Sequence, residues 1–189
     1  MFEGETEEQA LPIFFKNYFG FSNVEFGVDF IGVSGNKNYL PFIRFAENLG
    51  IPWIILSDAD NDTPDVIDRQ FVDSGTRKMK NDVIVFLNVG NDFEKQLICD
   101  GFQDEIRKAI LYLDEYKNDQ HRLASESKRI EEVNRYNDSN LYSYLINHKT
   151  MAAPVVADFI VKSKKSMSPF LLTLFRKIKA LIDIKEESL

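Results

Sequence analysis

At 189 residues, 44% hydrophobic and 28% charged, the chain has the composition of an ordinary soluble globular protein rather than a membrane, fibrous or disordered one. Its formal net charge of −7 argues against holding nucleic acid through a broad basic surface, though not against an enzyme with a local basic strip and an acidic centre. The single cysteine, Cys99, excludes an internal disulfide and reads as a small buried apolar residue in a reducing, cytoplasmic setting; no apolar run approaches the ~20 residues of a membrane span.

Met1-Phe2 ends in Glu3-Gly4-Glu5-Thr6-Glu7, the signature of a strand turning into a helix. Two residues are short for a strand, whose usual length is about 5–6, so the expectation is a chain that starts inside a longer protein. The acidic start, with Glu3, Glu5, Glu7 and Glu8, does not suit a signal peptide. A helix is expected from Thr6 to Tyr18, kinked or late-starting because of Pro12, with Gly20 as its cap. Val24 to Ser34 alternates in part and predicts a strand feeding the loop Gly32-Val33-Ser34-Gly35-Asn36-Lys37. A helix from Asn38 to Leu49 follows, then the strand Ile54–Leu56 and the aspartate loop Ser57-Asp58-Ala59-Asp60-Asn61-Asp62. Thr63-Pro64 reads as an N-cap and first helical position. Asp82–Leu87 predicts a further strand, leading through Asn88–Glu94 into a helix that reaches Ile98.

Strand and helix thus alternate four times in about one hundred residues, which predicts an α/β fold: a Rossmann-like parallel sheet of about four strands flanked by helices. Beyond Gly101 the pattern is wholly helical. Gln103–Tyr116 is amphipathic, and Asn118–Asn137 is polar enough to be an exposed or mobile insert. Leu141–Ile146, Met151–Val161 with Pro154 in its first turn, and a helix after Ser168-Pro169 complete the chain. The expected division is an α/β core over 1–112, a helical insert over 113–147 and closing helices over 148–189. Between Asp158 and Asp183 there is no acid, while Lys162, Lys164, Lys165, Arg176, Lys177 and Lys179 are basic: either solvated helix faces or a phosphate-contacting edge.

In open parallel sheets, chemistry gathers just past the carboxyl ends of the strands. Glu3 with Glu7, the Ser34–Lys37 loop, Asp58 with Asp60, and Asp92 with Glu94 all fall there. Carboxylates packed within a few ångströms repel by roughly 4 kcal/mol per pair at an effective dielectric of 20, so such a cluster calls for a divalent cation or a bound proton. Hard oxygen donors of this kind suit Mg²⁺ or Mn²⁺.

The stretch Glu3-Gly4-Glu5-Thr6-Glu7 followed by Asp58-Ala59-Asp60 resembles the Toprim signature, a glutamate after the first strand and Asp-x-Asp after the third. Glu3 to Pro12, Ser34–Leu49, Ile51–Asp60, Asn91–Leu97 and Lys149–Ala157 are similar to one branch, the overcoming-lysogenization-defect (OLD) family of nucleases. Those proteins join an ABC-type ATPase to a carboxyl-terminal Toprim domain. The resemblance implies a Toprim-like sheet and a metal set of Glu3, Glu7, Asp58, Asp60 and Glu94 for two ions. It also implies catalytic roles for Glu3, Asp58 and Lys149, the last at the scissile phosphate. Asp92 stands where that family often has a serine, which leaves its role open, as does the position of His148. The implied activity is two-metal phosphodiester hydrolysis on DNA, with an ABC-type ATPase domain or subunit as partner and a homodimer left open. There is no Gly-x-x-x-x-Gly-Lys-Ser/Thr, so no P-loop is expected in this chain. Two other functions compete: a phosphohydrolase whose strand-end Asp attacks phosphate, which leaves Glu3 and Glu7 unexplained, and a non-catalytic interaction or dimerisation module.

Overall fold

The computed structural model describes residues 1–114 and 119–186, with side chains given outside 119–125 and 184–186. Its centre is a pair of parallel strands, β1 (Ile55–Ser57) and β2 (Ile84–Phe86), in the register Ile55↔Ile84, Leu56↔Val85 and Ser57↔Phe86. On the other side of β1, the Met1 N–H donates to Ile54 O at 2.7 Å and Leu56 N–H to Met1 O at 2.9 Å. Phe2 in turn makes a parallel bridge to Gly32, with Phe2 N–H on Ile31 O and Val33 N–H on Phe2 O. The spatial order is therefore residues 31–33, residues 1–2, β1, β2. Only β1 and β2 form a regular ladder among the described residues, so the expected four-stranded sheet is present as two strands and a bridge. Gly32 lets the two segments approach closely at that bridge, since a Cβ there would stand 3.3 Å from the Phe2 ring and press on it.

The expected strand over Val24–Ser34 is corrected. Asn23 folds this segment back on itself: its Nδ2 donates to Val28 O and its carbonyl accepts from Val28 N–H, while Gly27 takes a φ of 63° that would break a strand. The alternating aromatic residues serve a loop instead, with the Phe26 and Phe30 rings meeting Phe15 edge-on at 5.9 and 5.8 Å. Phe175 meets the same ring at 5.8 Å.

The two faces of the sheet bury alternate residues, as the strand pleat demands. Ile55 and Ile84 face a core with Tyr39, Ile43 and Ile67 from α2 (Tyr39–Leu49) and α3 (Thr63–Ser74). Ile54, Leu56, Val85 and Leu87 face a larger core beneath α1 (Glu5–Phe19). Pro12 lies inside α1, which runs through it, so the expected late start is absent. Thr63 is the first residue of α3 rather than its cap; Asp62 holds the cap position without a side-chain bond. A single helical turn, α4 (Lys80–Val83), occupies the first residues of the strand expected at Asp82.

Among the described residues six helices follow: α5 (Phe93–Cys99), α6 (Gln103–Leu113), α7 (Asp119–Asn134), α8 (Asp138–Asn147), α9 (Lys149–Lys162) and α10 (Pro169–Glu186). The larger core runs from Phe2 to Ile178 and takes in Val133, Leu141 and Leu145. The polar stretch expected as an exposed insert is thus anchored at its far end by Val133 and by Arg129, which binds Asp114 at 2.8 Å; residues 115–118 lie outside the described ones. Cys99, expected to be buried, is exposed at the end of α5. Part of the basic stretch is committed to internal acceptors: Lys165 holds the buried Glu105 at 2.7 Å, Lys177 donates to Asn81 O, and Lys162 pairs with Asp158. At the amino-terminal end of the sheet lies an apolar groove of about 690 Å³, bordered by Phe2, Phe30, Phe45, Trp53 and Ile178. No helix among the described residues is long and apolar enough to cross a membrane.

Because Phe15 is fully buried and meets four aromatic rings, those of Phe19, Phe26, Phe30 and Phe175, Phe15→Ala is expected to cost about 3–5 kcal/mol in urea-induced unfolding, whereas Phe45→Ala, at a residue 62% exposed, changes stability by less than about 0.5 kcal/mol.

Candidate metal centre

Because the paired segments are parallel, their carboxyl ends share one edge, and each ends in a polar group. Glu3 follows Phe2, Asp58 follows β1, and Asn88–Asp92 follows β2. The turn after Phe2 is fixed by the Gly35 N–H, which donates to Glu3 O at 3.0 Å; the turns after β1 and β2 are tied by Ala59 N–H on Asn91 O and Gly90 N–H on Ala59 O.

Glu7 lies one helical turn beyond Glu3 and is 5% exposed. Its carboxylate comes close to Gly4, where a Cβ would stand 3.3 Å from Glu7 Oε2; the Glu-Gly-x-x-Glu spacing keeps that space open. Ser57, buried at the end of β1, donates its hydroxyl to Glu3 Oε1 at 3.1 Å. Asp60 is oriented by Thr63 Oγ1 at 3.0 Å and Asn61 Nδ2 at 2.8 Å, and Thr63 in turn accepts from Asn36 Nδ2 at 2.8 Å. The loop after residue 33 therefore reaches the site through Asn36, by way of Thr63.

Glu94, 3% exposed in the first turn of α5, accepts from the Thr6 hydroxyl at 2.6 Å and lies 3.3 Å from Lys149 Nζ. Lys149 begins α9, which packs along α1, so a residue 146 positions after Glu3 returns to the same edge. Asp92 caps α5 by accepting the Lys95 N–H at 2.8 Å and also accepts from Tyr142 Oη at 2.5 Å.

The crowding raises proton affinities. Burial, and then the charges of Glu7, Glu3, Asp92 and Asp60, pushes Asp58 up to about 9. Glu3 rises to about 7 through burial and Asp60, against the Ser57 hydroxyl and the Asp58 backbone, which favour its charge. Glu7 also rises to about 7, through burial and the charges of Glu94 and Glu3, with its own backbone N–H and Lys149 opposing. For Lys149, burial works against the charge, but Glu94, Glu7 and Asp92 outweigh it and raise its proton affinity.

The structure thus brings Glu3, Glu7, Asp58, Asp60, Glu94 and Lys149, all singled out from the sequence, to one edge. Asp62 is exposed and stands apart. His148 stacks on Tyr144 at 4.2 Å, with its Nδ1 at 2.8 Å from Tyr144 O, and makes no bond to the acids. Asn36 belongs to the Ser34–Lys37 loop expected at this edge, whereas Thr6, Ser57, Thr63 and Tyr142 were not among the sequence candidates. The first three are hydroxyl residues adjacent to or within three positions of an acid, which is a weak local signal; nothing in the sequence places Tyr142 here.

As a donor set, the edge fits a hard divalent cation: five carboxylate groups faced by one cation, Lys149, which pairs with Glu94. Among the described residues no three acidic or imidazole groups already stand at metal-ligand spacing, so this fit is of chemistry and not of a closed coordination shell.

Residues 1–60 match the sequence family described as overcoming lysogenization defect protein-like, TOPRIM domain. No curated protein sequence matches the chain. Among solved structures, the fold is similar to the C-terminal region of the Burkholderia pseudomallei OLD protein, at 16% identity and a TM-score of 0.64 over 96% of each chain. It is also similar to the C-terminal region of the Xanthomonas campestris pv. campestris OLD protein, at 16% identity and a TM-score of 0.62, covering 99% of this chain and 94% of that one.

A carboxyl group with a raised folded-state pKa contributes stability below its unfolded value near 4, and this is lost as pH rises through the folded value. In chelator, the melting temperature is therefore expected to fall between pH 5 and pH 9, by roughly 5 °C. Asp58→Asn should flatten the upper part of that decline, above pH 7, and a scanning-fluorimetry series at constant ionic strength measures both.

Proposed function

We propose that the acidic edge is the centre of a divalent-metal-dependent DNA endonuclease of the OLD type, a reading supported by the match of residues 1–60 to the OLD-like TOPRIM family and by the similarity in fold to OLD C-terminal regions. The observation that carries this is the convergence of Glu3, Glu7 and Asp58, each with raised proton affinity, beside the cationic Lys149.

Glu3, Glu7, Asp58, Asp60 and Glu94 would hold two Mg²⁺ or Mn²⁺ ions. When bound, these supply an activated water and charge neutralisation at the leaving oxygen. The chain's own residues set the rest. Ser57 orients Glu3, and Asn36 with Thr63 orients Asp60, so those two carboxylates face the edge before substrate arrives. Thr6 fixes Glu94, and Glu94 holds the Lys149 ammonium at the rim, where it can offset charge gathering on a phosphate. Burial of Glu7 and Glu94 keeps water away from one side of the cluster and strengthens each charge interaction there.

The proposed substrate is the DNA phosphodiester backbone. An ABC-type ATPase domain or subunit is the proposed partner, a homodimer stays open, and the single unpaired cysteine fits a cytoplasmic setting. The competing reading is a non-catalytic interaction or dimerisation module that keeps the same fold.

Supercoiled plasmid incubated with Mn²⁺ or Mg²⁺ separates these functions. Metal-dependent nicking is expected, abolished by chelator and reduced roughly 100-fold or more by Asp58→Ala and by Lys149→Ala. Nicking that Asp58→Ala leaves intact would sink the proposal. Absence of nicking together with Mn²⁺ binding by calorimetry would instead indicate a preserved ion site in an inactive module.

A further inference from the structure

Tyr142 lies on α8, fifty residues beyond Asp92, and the hydrogen bond between them is the shorter of two polar ties across one junction. Asp92 uses one oxygen to cap α5, accepting from Lys95 N–H, and the other to accept from Tyr142 Oη at 2.5 Å. Two residues further along α5, Glu94 Oε1 receives Lys149 Nζ at 3.3 Å. Tyr142 and Lys149 stand on either side of the corner at His148 where α8 gives way to α9. The start of α5 therefore grips that corner twice, through Asp92–Tyr142 and through Glu94–Lys149.

The two ties differ in stiffness. Lys149 is a flexible four-carbon stem, its side chain 42% exposed, and its ion pair is long. Tyr142 carries its hydroxyl on a rigid ring with two side-chain torsions, and an O–H donating to a carboxylate at this length is among the stronger hydrogen bonds. The corner itself is braced by the His148 ring lying flat on Tyr144. Where Lys149 sits thus depends on where the corner is held, and the short bond holds it.

We propose that Tyr142 is a positioning residue that clamps the α8–α9 corner to Asp92 and so fixes Lys149 over the acidic edge. Asp92 acts as the acceptor of that clamp and not as an ion ligand. The proposal rests on the role given to Lys149 above, but the clamp can be tested without it.

Metal-free protein is treated briefly with acetic anhydride, and acetylation of each lysine is followed by mass spectrometry in the wild type, Tyr142→Phe and Glu94→Gln. Lys149 is expected to label roughly threefold faster in both variants, the gain from releasing a partly exposed ion pair, while the exposed Lys162 is unchanged and the melting temperature holds. In the nicking assay Tyr142→Phe should lower kcat about tenfold with KM unchanged. It should add nothing to Lys149→Ala, and Asp92→Asn, which keeps an acceptor oxygen, should lose less than Asp92→Ala. Unchanged Lys149 labelling in Tyr142→Phe overturns the clamp. So does a uniform rise across all lysines with a lowered melting temperature, which reports general loosening. A wild type that labels as expected and does not nick sinks the nuclease proposal and leaves the clamp standing.

Discussion

Everything at the acidic edge follows from one constraint: the paired segments run parallel, so each must end where its neighbours end. Parallel pairing between residues 31–33, residues 1–2, β1 and β2 gathers the residues after each segment at one rim. Glu3, Asp58 and Asp92 cannot be kept apart by any choice of side chain there. Burial adds to the repulsion, and Glu3 and Asp58 as a result hold protons well into the neutral range. The packing of the large core stabilises a rim that is by itself unfavourable, which is the usual condition of a functional site.

Much of this was legible in the sequence because it depends on short intervals. The abrupt change from Ile54-Ile55-Leu56 to Asp58-Ala59-Asp60 marks a buried strand ending at a polar rim, and Glu3 with Glu7 marks the first helical turn, whatever surrounds them. What failed is where local pattern and tertiary contacts disagree. Val24, Phe26, Val28 and Phe30 alternate like a strand, yet Asn23 and Gly27 close a turn and the two phenylalanines pack on Phe15. Cys99 has a composition-based preference for burial, but the end of α5 turns it outward. The basic residues from Lys162 to Lys179, open in the sequence between solvated faces and a phosphate-contacting edge, include two whose partners, Glu105 and the Asn81 carbonyl, only the fold reveals.

The supporting polar groups were illegible for a different reason. Ser57 and Thr6 neighbour acids in the sequence, but serine and threonine beside acids are common, and only the fold selects which hydroxyls turn toward Glu3 and Glu94. Tyr142 carries no local mark at all. Its place is set by α8 lying against α5, a contact between segments separated by the whole of α6 and α7. The closing helices are thus more than cover for the sheet: Val156, Ala157, Leu174 and Phe175 share a core with Phe14 and Phe15, and the same docking returns Lys149 to Glu94.

The placement of helix starts has an electrostatic consequence of its own. α1 opens two residues after Glu3, α3 three residues after Asp60, α5 directly after Asp92, and α9 at Lys149. All four amino ends open at the rim that carries the carboxylates, though the Thr63 N–H of α3 already donates to Asp60 O and the Lys95 N–H of α5 to Asp92. Each aligned helix places roughly half a positive charge at its start, falling off within a turn. The rim is therefore less negative than its count of acids suggests, and its field is uneven: carboxyl oxygens at the strand ends, partly positive backbone beside them.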